Sequence, residues 1–241
     1  MNYIIFALFF FTSLVSADEK ANYPWLESLD PGKGYKKSGE RLATLDLGLN
    51  PLERFSGKER VLLISVHGSR SEGYEWIYPL QTLDTTNSAT FFYRWDDSKC
   101  YLSSAKKLIL LLSEVDASLP SIESLVIIGH SYGGGLVASL VEGWKHSLST
   151  EMHSVAGPIG SPFSRGSCSF NPPKDIPDKL TFYQWRTQHH LDVAFRGLKN
   201  DPQNLDLIGS KVTRLPETYR GRRLGHNWSI SWVADELGPL N

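Results

Sequence analysis

At 241 residues the chain is long enough for one well-buried core and gives no reason to expect two. Its 25 Lys plus Arg against 26 Asp plus Glu leave a net charge of -1, so no global field recruits nucleic acid or an anionic membrane. A hydrophobic content of 41% excludes a disordered or fibrous protein and leaves a globular one whose partner is small and largely uncharged.

The chain opens on an apolar stretch, Tyr3 to Val15, followed by Ser16, Ala17 and the charged run Asp18-Glu19-Lys20. Residues 1–17 therefore read as a signal peptide cleaved after Ala17, which sends the mature chain to a secreted or periplasmic location. The stretch is too short for a comfortable membrane span, so none is expected after cleavage. Export makes Cys100 and Cys168 candidates for a disulfide, with two isolated thiols as the alternative. Residues 18–58 are rich in Gly, Lys, Pro and Glu and read as a loop-rich N-terminal arm without chemistry, ahead of a single domain over 59–241.

Within that domain, Val61 to Val66 is a continuous apolar run, the pattern of a strand covered on both faces in a parallel sheet. It ends in His67-Gly68-Ser69. Tyr74 to Leu83 follows with helical spacing, Ala89 to Trp95 is β-rich, Leu102 to Val115 is helical, and Ser124 to Ile128 is a strand. Next, Leu136 to Trp144 predicts a helix and Glu151 to Ala156 a strand. From Gly157 to Asp178 the chain holds five prolines and no regular pattern, too long for a simple connection, and reads as a lid or cap. Leu180 to Trp185 restores a strand, Pro202 to Ile208 reads as a short helical segment, Lys211 to Leu215 as a weak strand, and Trp228 to Leu237 as the last helix. Strands alternating with helices imply a mostly parallel twisted sheet with helices on both faces, whose sites gather at the carboxyl ends of the strands.

The strand at Ser124 to Ile128 runs into Gly129-His130-Ser131-Tyr132-Gly133-Gly134, a strand, tight turn and helix start around a glycine-flanked serine. Such a turn lifts the hydroxyl of Ser131 clear of the backbone, which makes it the candidate nucleophile. A serine hydroxyl needs a base and an acid that orients the base. His226, after the last strand and at the head of the last helix, is the candidate base, with His189 and His190 as rivals. Asp192, the first carboxylate after the strand ending near Arg186, is the candidate acid; Asp96, Asp97, Asp201 and Asp206 are alternatives. Donors for a developing oxyanion come most simply from the backbone N–H groups of Tyr132 and Ser69. No paired-cysteine or His-Glu spacing suggests a metal, and Gly133-Gly134-Gly135 lacks the Lys and Ser or Thr of a phosphate loop.

Through His67-Gly68 after one strand, the Ser131 turn after another, and Asp192 and His226 beyond, the chain resembles the α/β-hydrolase fold in a compact, lipase- or esterase-like form. The resemblance spans about Val61 to Leu237, and Gly157 to Pro162 is similar to the segment that follows the sixth strand in lipase-like members. It implies hydrolysis through an acyl-enzyme with no metal or organic cofactor. Trp76 and Phe163, with Tyr132 and Phe170, read as an apolar substrate environment, so the expected substrate is a small ester or a lipid. A serine peptidase or acyltransferase would use the same triad, and a non-catalytic binding protein would keep the scaffold. The basic cluster Arg220-Gly221-Arg222-Arg223 reads as a solvated loop beside the site, with selection of an anionic group as the alternative.

Overall fold

The computed structural model describes residues 25–160, 163–165 and 168–240, with the backbone alone at 163–165 and 168–169. The expected signal peptide and the side chains of Phe163 and Cys168 lie outside the described residues.

In chain order the elements are a 3-10 turn (Leu26–Ser28), α1 (Tyr35–Ala43), β1 (Gly48–Pro51), β2 (Val61–Val66), α2 (Tyr74–Leu83), β3 (Ser88–Arg94), α3 (Tyr101–Ser118) and β4 (Ser124–His130). Then come α4 (Tyr132–Val141), β5 (Ser149–Val155), β6 (Phe163–Arg165), β7 (Cys168–Phe170), β8 (Leu180–Arg186), β9 (Lys211–Arg214), β10 (Thr218–Tyr219), β11 (Arg222–Arg223) and α5 (Ser229–Leu237). Among the described residues, one seven-stranded sheet runs in the order β1-β3-β2-β4-β5-β8-β9. Only β1 is antiparallel to its neighbour within it; β3, β2, β4, β5, β8 and β9 are parallel.

The sheet is covered on both faces, and its central strands β2 and β4 are apolar over most of their length. All six residues of β2 are buried, and they divide by period two: Leu62, Ile64 and Val66 enter one core with Leu108 and Leu112 of α3 and Leu136 and Leu140 of α4. Val61 and Leu63 enter the other, with Leu42 of α1, Trp76, Ile77 and Leu80 of α2, and Ile230 and Val233 of α5. Burying one such aliphatic side chain is worth about 1.5–3 kcal/mol. Both cores draw on the strands that carry the site, so its frame is held from two sides.

Four readings of the sequence change. The arm over 18–58 is not all loop: it holds α1 and β1, and β1 closes the sheet by pairing Gly48–Pro51 with β3. A half-exposed edge strand of Gly, Leu, Asn and Pro offers no alternation to detect. The helix after Ser131 starts at Tyr132 instead of Leu136, with Gly133 and Gly134 packed where a Cβ would not fit. Residues 202–208 form no helix; Leu205 and Leu207 anchor the segment in the core by their side chains, and the carbonyls of Pro202 and Leu205 accept from the Gly160 N–H and the Arg186 guanidinium. Within 157–178, Ile159 and Phe170 are buried in that same core, Phe170 with its ring 6.0 Å from that of Tyr101.

Candidate active site

β4 delivers Ser131 to the carboxyl edge of the sheet. Its φ of 55° and ψ of -123° put a non-glycine residue in a costly conformation, held by its N–H donating to the Val155 carbonyl at 2.8 Å and its carbonyl accepting from the Gly134 N–H at 2.8 Å. The turn is tight enough that a Cβ on Gly133 would sit 2.4 Å from the Val66 carbonyl oxygen and 2.5 Å from that of His67. Glycine there lets α4 start against the end of β2.

The loop after β2 lies directly over the serine: a Cβ on Gly68 would meet the Ser131 Cβ at 2.9 Å and the His130 carbonyl oxygen at 3.0 Å. His67 fixes this loop. Its Nδ1–H donates to the Gly68 carbonyl at 2.8 Å, while its Nε2 accepts from the Trp95 N–H at 3.2 Å and from the Arg94 guanidinium at 2.9 Å. Burial, with Arg94 beside it, pushes the His67 ring down to about 4, so it stays neutral and can keep both roles at once. Further on, the Arg70 N–H donates to Asp97 at 2.6 Å, which pins the backbone on the far side of Ser69.

His226 precedes α5, and its Nδ1–H donates to Asp192 Oδ2 at 2.9 Å. Asp192 is fully buried. Burial alone would raise its carboxyl, but hydrogen bonds from His226, the Thr187 hydroxyl at 2.5 Å and the Ala194 N–H at 2.8 Å hold it below the ordinary carboxylate range. The tautomer of His226 follows from this partner: Nδ1 carries the proton and Nε2 is left basic. The ring is packed between His130, at 4.8 Å, and Phe195, edge-on at 5.2 Å.

Ser131 and His226 line one cleft of about 670 Å³, together with Gly68 and Ser69. The rest of its wall is mostly polar: Arg70, Ser71, Glu72, Glu75, His130 and Asn227 line it, with Tyr74 and the small apolar Ala194. Tyr132 stands first in α4, but its ring is buried against Trp95 at 5.5 Å and Tyr101 at 4.8 Å. Trp76 is a correction. It was expected at the substrate, yet it is completely buried against Phe92, because Trp76, Ile77 and Leu80 form the inner stripe of α2 and leave Tyr74, Glu75 and Tyr78 on the outside. No described residue of 157–178 lines the cleft, so the segment read as a lid does not cover it in the described residues.

The rivals are occupied elsewhere. His189 bonds the Phe195 carbonyl at 2.8 Å, and His190 is an exposed ring 3.9 Å from Glu217. Among the alternative acids, Asp201 pairs with Arg214 at 2.7 Å, Asp96 with Lys99 at 2.9 Å, Asp97 holds Arg70, and Asp206 lines a separate depression with Arg186.

Two features escaped the sequence. His130 donates from Nε2 to the His226 carbonyl at 3.0 Å, a contact across 96 residues that no local pattern announces. A second cleft, of about 560 Å³, adjoins the first and shares Tyr74, Glu75 and Asn227 with it. Pro31 and Tyr35 of the arm line it, with Arg220 and Arg222 from the β10–β11 hairpin. Its one sequence signal is Gly221 between two arginines, a turn residue inside a basic cluster.

Among the described residues no group of three or more His, Cys, Asp or Glu side chains could hold a metal ion, and no helix is long and apolar enough to cross a membrane.

No protein-family model and no curated protein matches the chain. Solved structures do. An arylesterase structure is 13% identical, covering 85% of this chain and 88% of that one, with a TM-score of 0.52. Poly(aspartic acid) hydrolase-1 from Sphingomonas sp. KT-1 is 14% identical over 79% of this chain and 91% of its own, with a TM-score of 0.50. Est1E from Butyrivibrio proteoclasticus is 15% identical over 78% and 89%, with a TM-score of 0.49. Taken with the parallel sheet and the serine turn at the end of β4, the first two of these likenesses show that the chain has the α/β-hydrolase fold.

Proposed function

We propose that the protein is a serine hydrolase that cleaves carboxylic esters through an acyl-enzyme. The observation that carries this reading is one cleft receiving both Ser131, from a turn with positive φ, and His226, already oriented by a buried Asp192. Ser131 Oγ attacks the ester carbonyl carbon while its proton passes to His226 Nε2, and the new oxyanion takes hydrogen bonds from the N–H groups of Ser69 and Tyr132. The carbon–oxygen bond to the alcohol breaks, and the alcohol leaves with the proton from His226. Water then attacks the acyl-enzyme, giving its proton to His226; the bond to Oγ breaks, the proton returns to Ser131, and the acid departs.

The polar wall of Arg70, Ser71, Glu72 and Glu75 favours a short, polar ester over a long lipid acyl chain, which would strip water from Arg70 and Glu72 without replacing it. This narrows the reading from lipase to esterase. A fluorophosphonate probe tests it: labelling at Ser131 that disappears in His226→Ala, with turnover of short-chain 4-nitrophenyl esters and none of peptide anilides, is the expected result. Peptide cleavage without ester turnover would make the protein a peptidase, and no adduct at all would leave a binding protein.

The same reading includes export with cleavage after Ala17 and a Cys100–Cys168 bridge. The chain has two cysteines, and export would bring both into an oxidising compartment, which supports the pairing. Mass spectrometry of the exported protein should find Asp18 at the amino terminus and a non-reduced mass lower by two hydrogens.

A further inference from the structure

We propose that the second cleft is a recognition subsite for an anionic group on the far end of the substrate, with Arg222 as the residue that binds it. The proposal rests on the ester-hydrolase reading for its substrate, and on the cleft itself for its chemistry.

The cleft is built around a hairpin that belongs to no part of the main sheet. β10 and β11 pair Tyr219 with Arg222, and the two residues between them, Arg220 and Gly221, have φ of 50° and 72°, as a type I′ turn requires. Arg220 secures the hairpin to the body. Its guanidinium carbon lies 4.7 Å from the Tyr78 ring centre and 5.0 Å from that of Tyr219, and it pairs with Asp235 at 3.0 Å. Asp235 also accepts from the hydroxyls of Tyr78 and Tyr219, each at 2.5 Å, so its charge is spent. Burial would raise its carboxyl, yet these donors hold it below the ordinary range and ionised.

Arg222 is different. Its guanidinium carbon lies 5.7 Å over the Trp228 ring, and among the described residues no carboxylate stands within ion-pair distance of it. The ring sets the guanidinium close to a fixed plane, and a planar fork without a counter-charge at the edge of a cleft is matched to the two oxygens of a carboxylate, phosphate or sulfate. The one acid among the residues lining this cleft, Glu75, bonds Ser71 and is pushed up by burial, which weakens any repulsion of an anion. Glu75, Tyr74 and Asn227 are shared with the cleft of Ser131, so one extended ester can reach both.

The test compares kcat/KM for the 4-nitrophenyl half-esters of succinic, glutaric, adipic and suberic acids with that for their methyl-capped neutral counterparts. At one chain length or more, the half-ester should exceed its capped partner by about tenfold or better at low salt. Arg222→Gln should lower that ratio by about tenfold, while Arg223→Gln, outside the cleft, should keep it. Half-esters that never outrun their capped partners, or a preference that survives Arg222→Gln, would overturn the proposal. Calorimetric titration with adipate separates this failure from failure of the ester chemistry. Saturable binding that is lost in Arg222→Gln supports the subsite even if no ester is turned over; absence of binding together with absence of a half-ester preference overturns it. Competition by inorganic phosphate, sulfate and acetate then ranks the three anion types.

Discussion

His130, the residue immediately before Ser131, donates its Nε2–H to the backbone carbonyl of His226 at 3.0 Å, with the two rings 4.8 Å apart. The neighbour of the residue read as the nucleophile thereby holds the main chain of the residue read as the base. Replacing His130 with Ala frees that carbonyl and opens a void beside the His226 ring, so kcat should fall about tenfold with little change in KM. His130→Gln keeps an N–H within reach and should recover part of the loss. Equal activity of the two variants would show that His130 only fills space.

Ser131 stores backbone strain at a φ of 55°. Ser131→Gly should remove ester turnover and raise stability by about 1 kcal/mol, since glycine adopts this conformation without a Cβ penalty. Ser131→Ala should remove turnover without that gain. Urea unfolding of the three proteins measures the difference, and an unchanged midpoint in the glycine variant would contradict the strain.

Gly68→Ala places a methyl group 2.9 Å from the Ser131 Cβ and 3.0 Å from the His130 carbonyl oxygen. Neither neighbour is the free end of a flexible side chain, so the loop must retreat and carry the Ser69 N–H with it. A displacement near 1 Å costs on the order of a hundredfold in kcat. The expected signature is that fall with a stability loss of only about 1–3 kcal/mol, read by steady-state kinetics beside thermal melts.

Three buried histidines, His67, His130 and His153, act on the acid side of the stability profile. Burial, the largest cause in each, lowers His153 and brings His67 from 6.5 to about 4 and His130 from 6.5 to about 3. His67 and His130 stay neutral in the folded protein while the unfolded chain takes up their protons below about 6.5. Their contribution is therefore complete above pH 6.5 and declines as pH falls from there toward 4, by about 1.4 kcal/mol per pH unit for each histidine. Asp192, depressed in the folded state, adds a loss in the same direction only below the ordinary carboxylate range. Glu53, raised to about 7 mainly by burial, adds stability as pH falls over the same range and offsets part of the decline, so the readout is a difference: between pH 7 and pH 4 the urea midpoint of His130→Gln should fall less than that of the parent, by about one histidine's share.

The strands of the central sheet were legible because their burial on both faces leaves an unbroken apolar run, as in β2 and β4. The serine turn was legible because glycines cluster where β4 and α4 meet. Asp192 and His226 could be chosen by chain order, and 34 residues apart they meet at 2.9 Å. What stayed hidden depends on contacts between distant segments. β1 is a strand only because β3 offers it an edge, and the arm's Tyr35 matters only because α2 and the hairpin stand opposite it. Trp76 was misplaced for the converse reason: the helix was recognised, but which face looked inward depended on α5 and the sheet, and its inner stripe claimed the largest ring.

The close approaches at Gly68 and Gly133 divide the molecule into parts with very different freedom to vary. Around Ser131 the fit is between main-chain atoms, where adding a single carbon forces a collision with a carbonyl oxygen, so drift in the sequence is punished whatever the substrate. Around Arg222 and Tyr35 the fit is between exposed side chains, one on a two-stranded hairpin outside the main sheet and one at the start of a short helix that reaches the core through Leu42. A lineage exploring new esters would therefore rewrite residues 31–35 and 219–222 first and leave the chemistry untouched, and a laboratory library would gain most by doing the same.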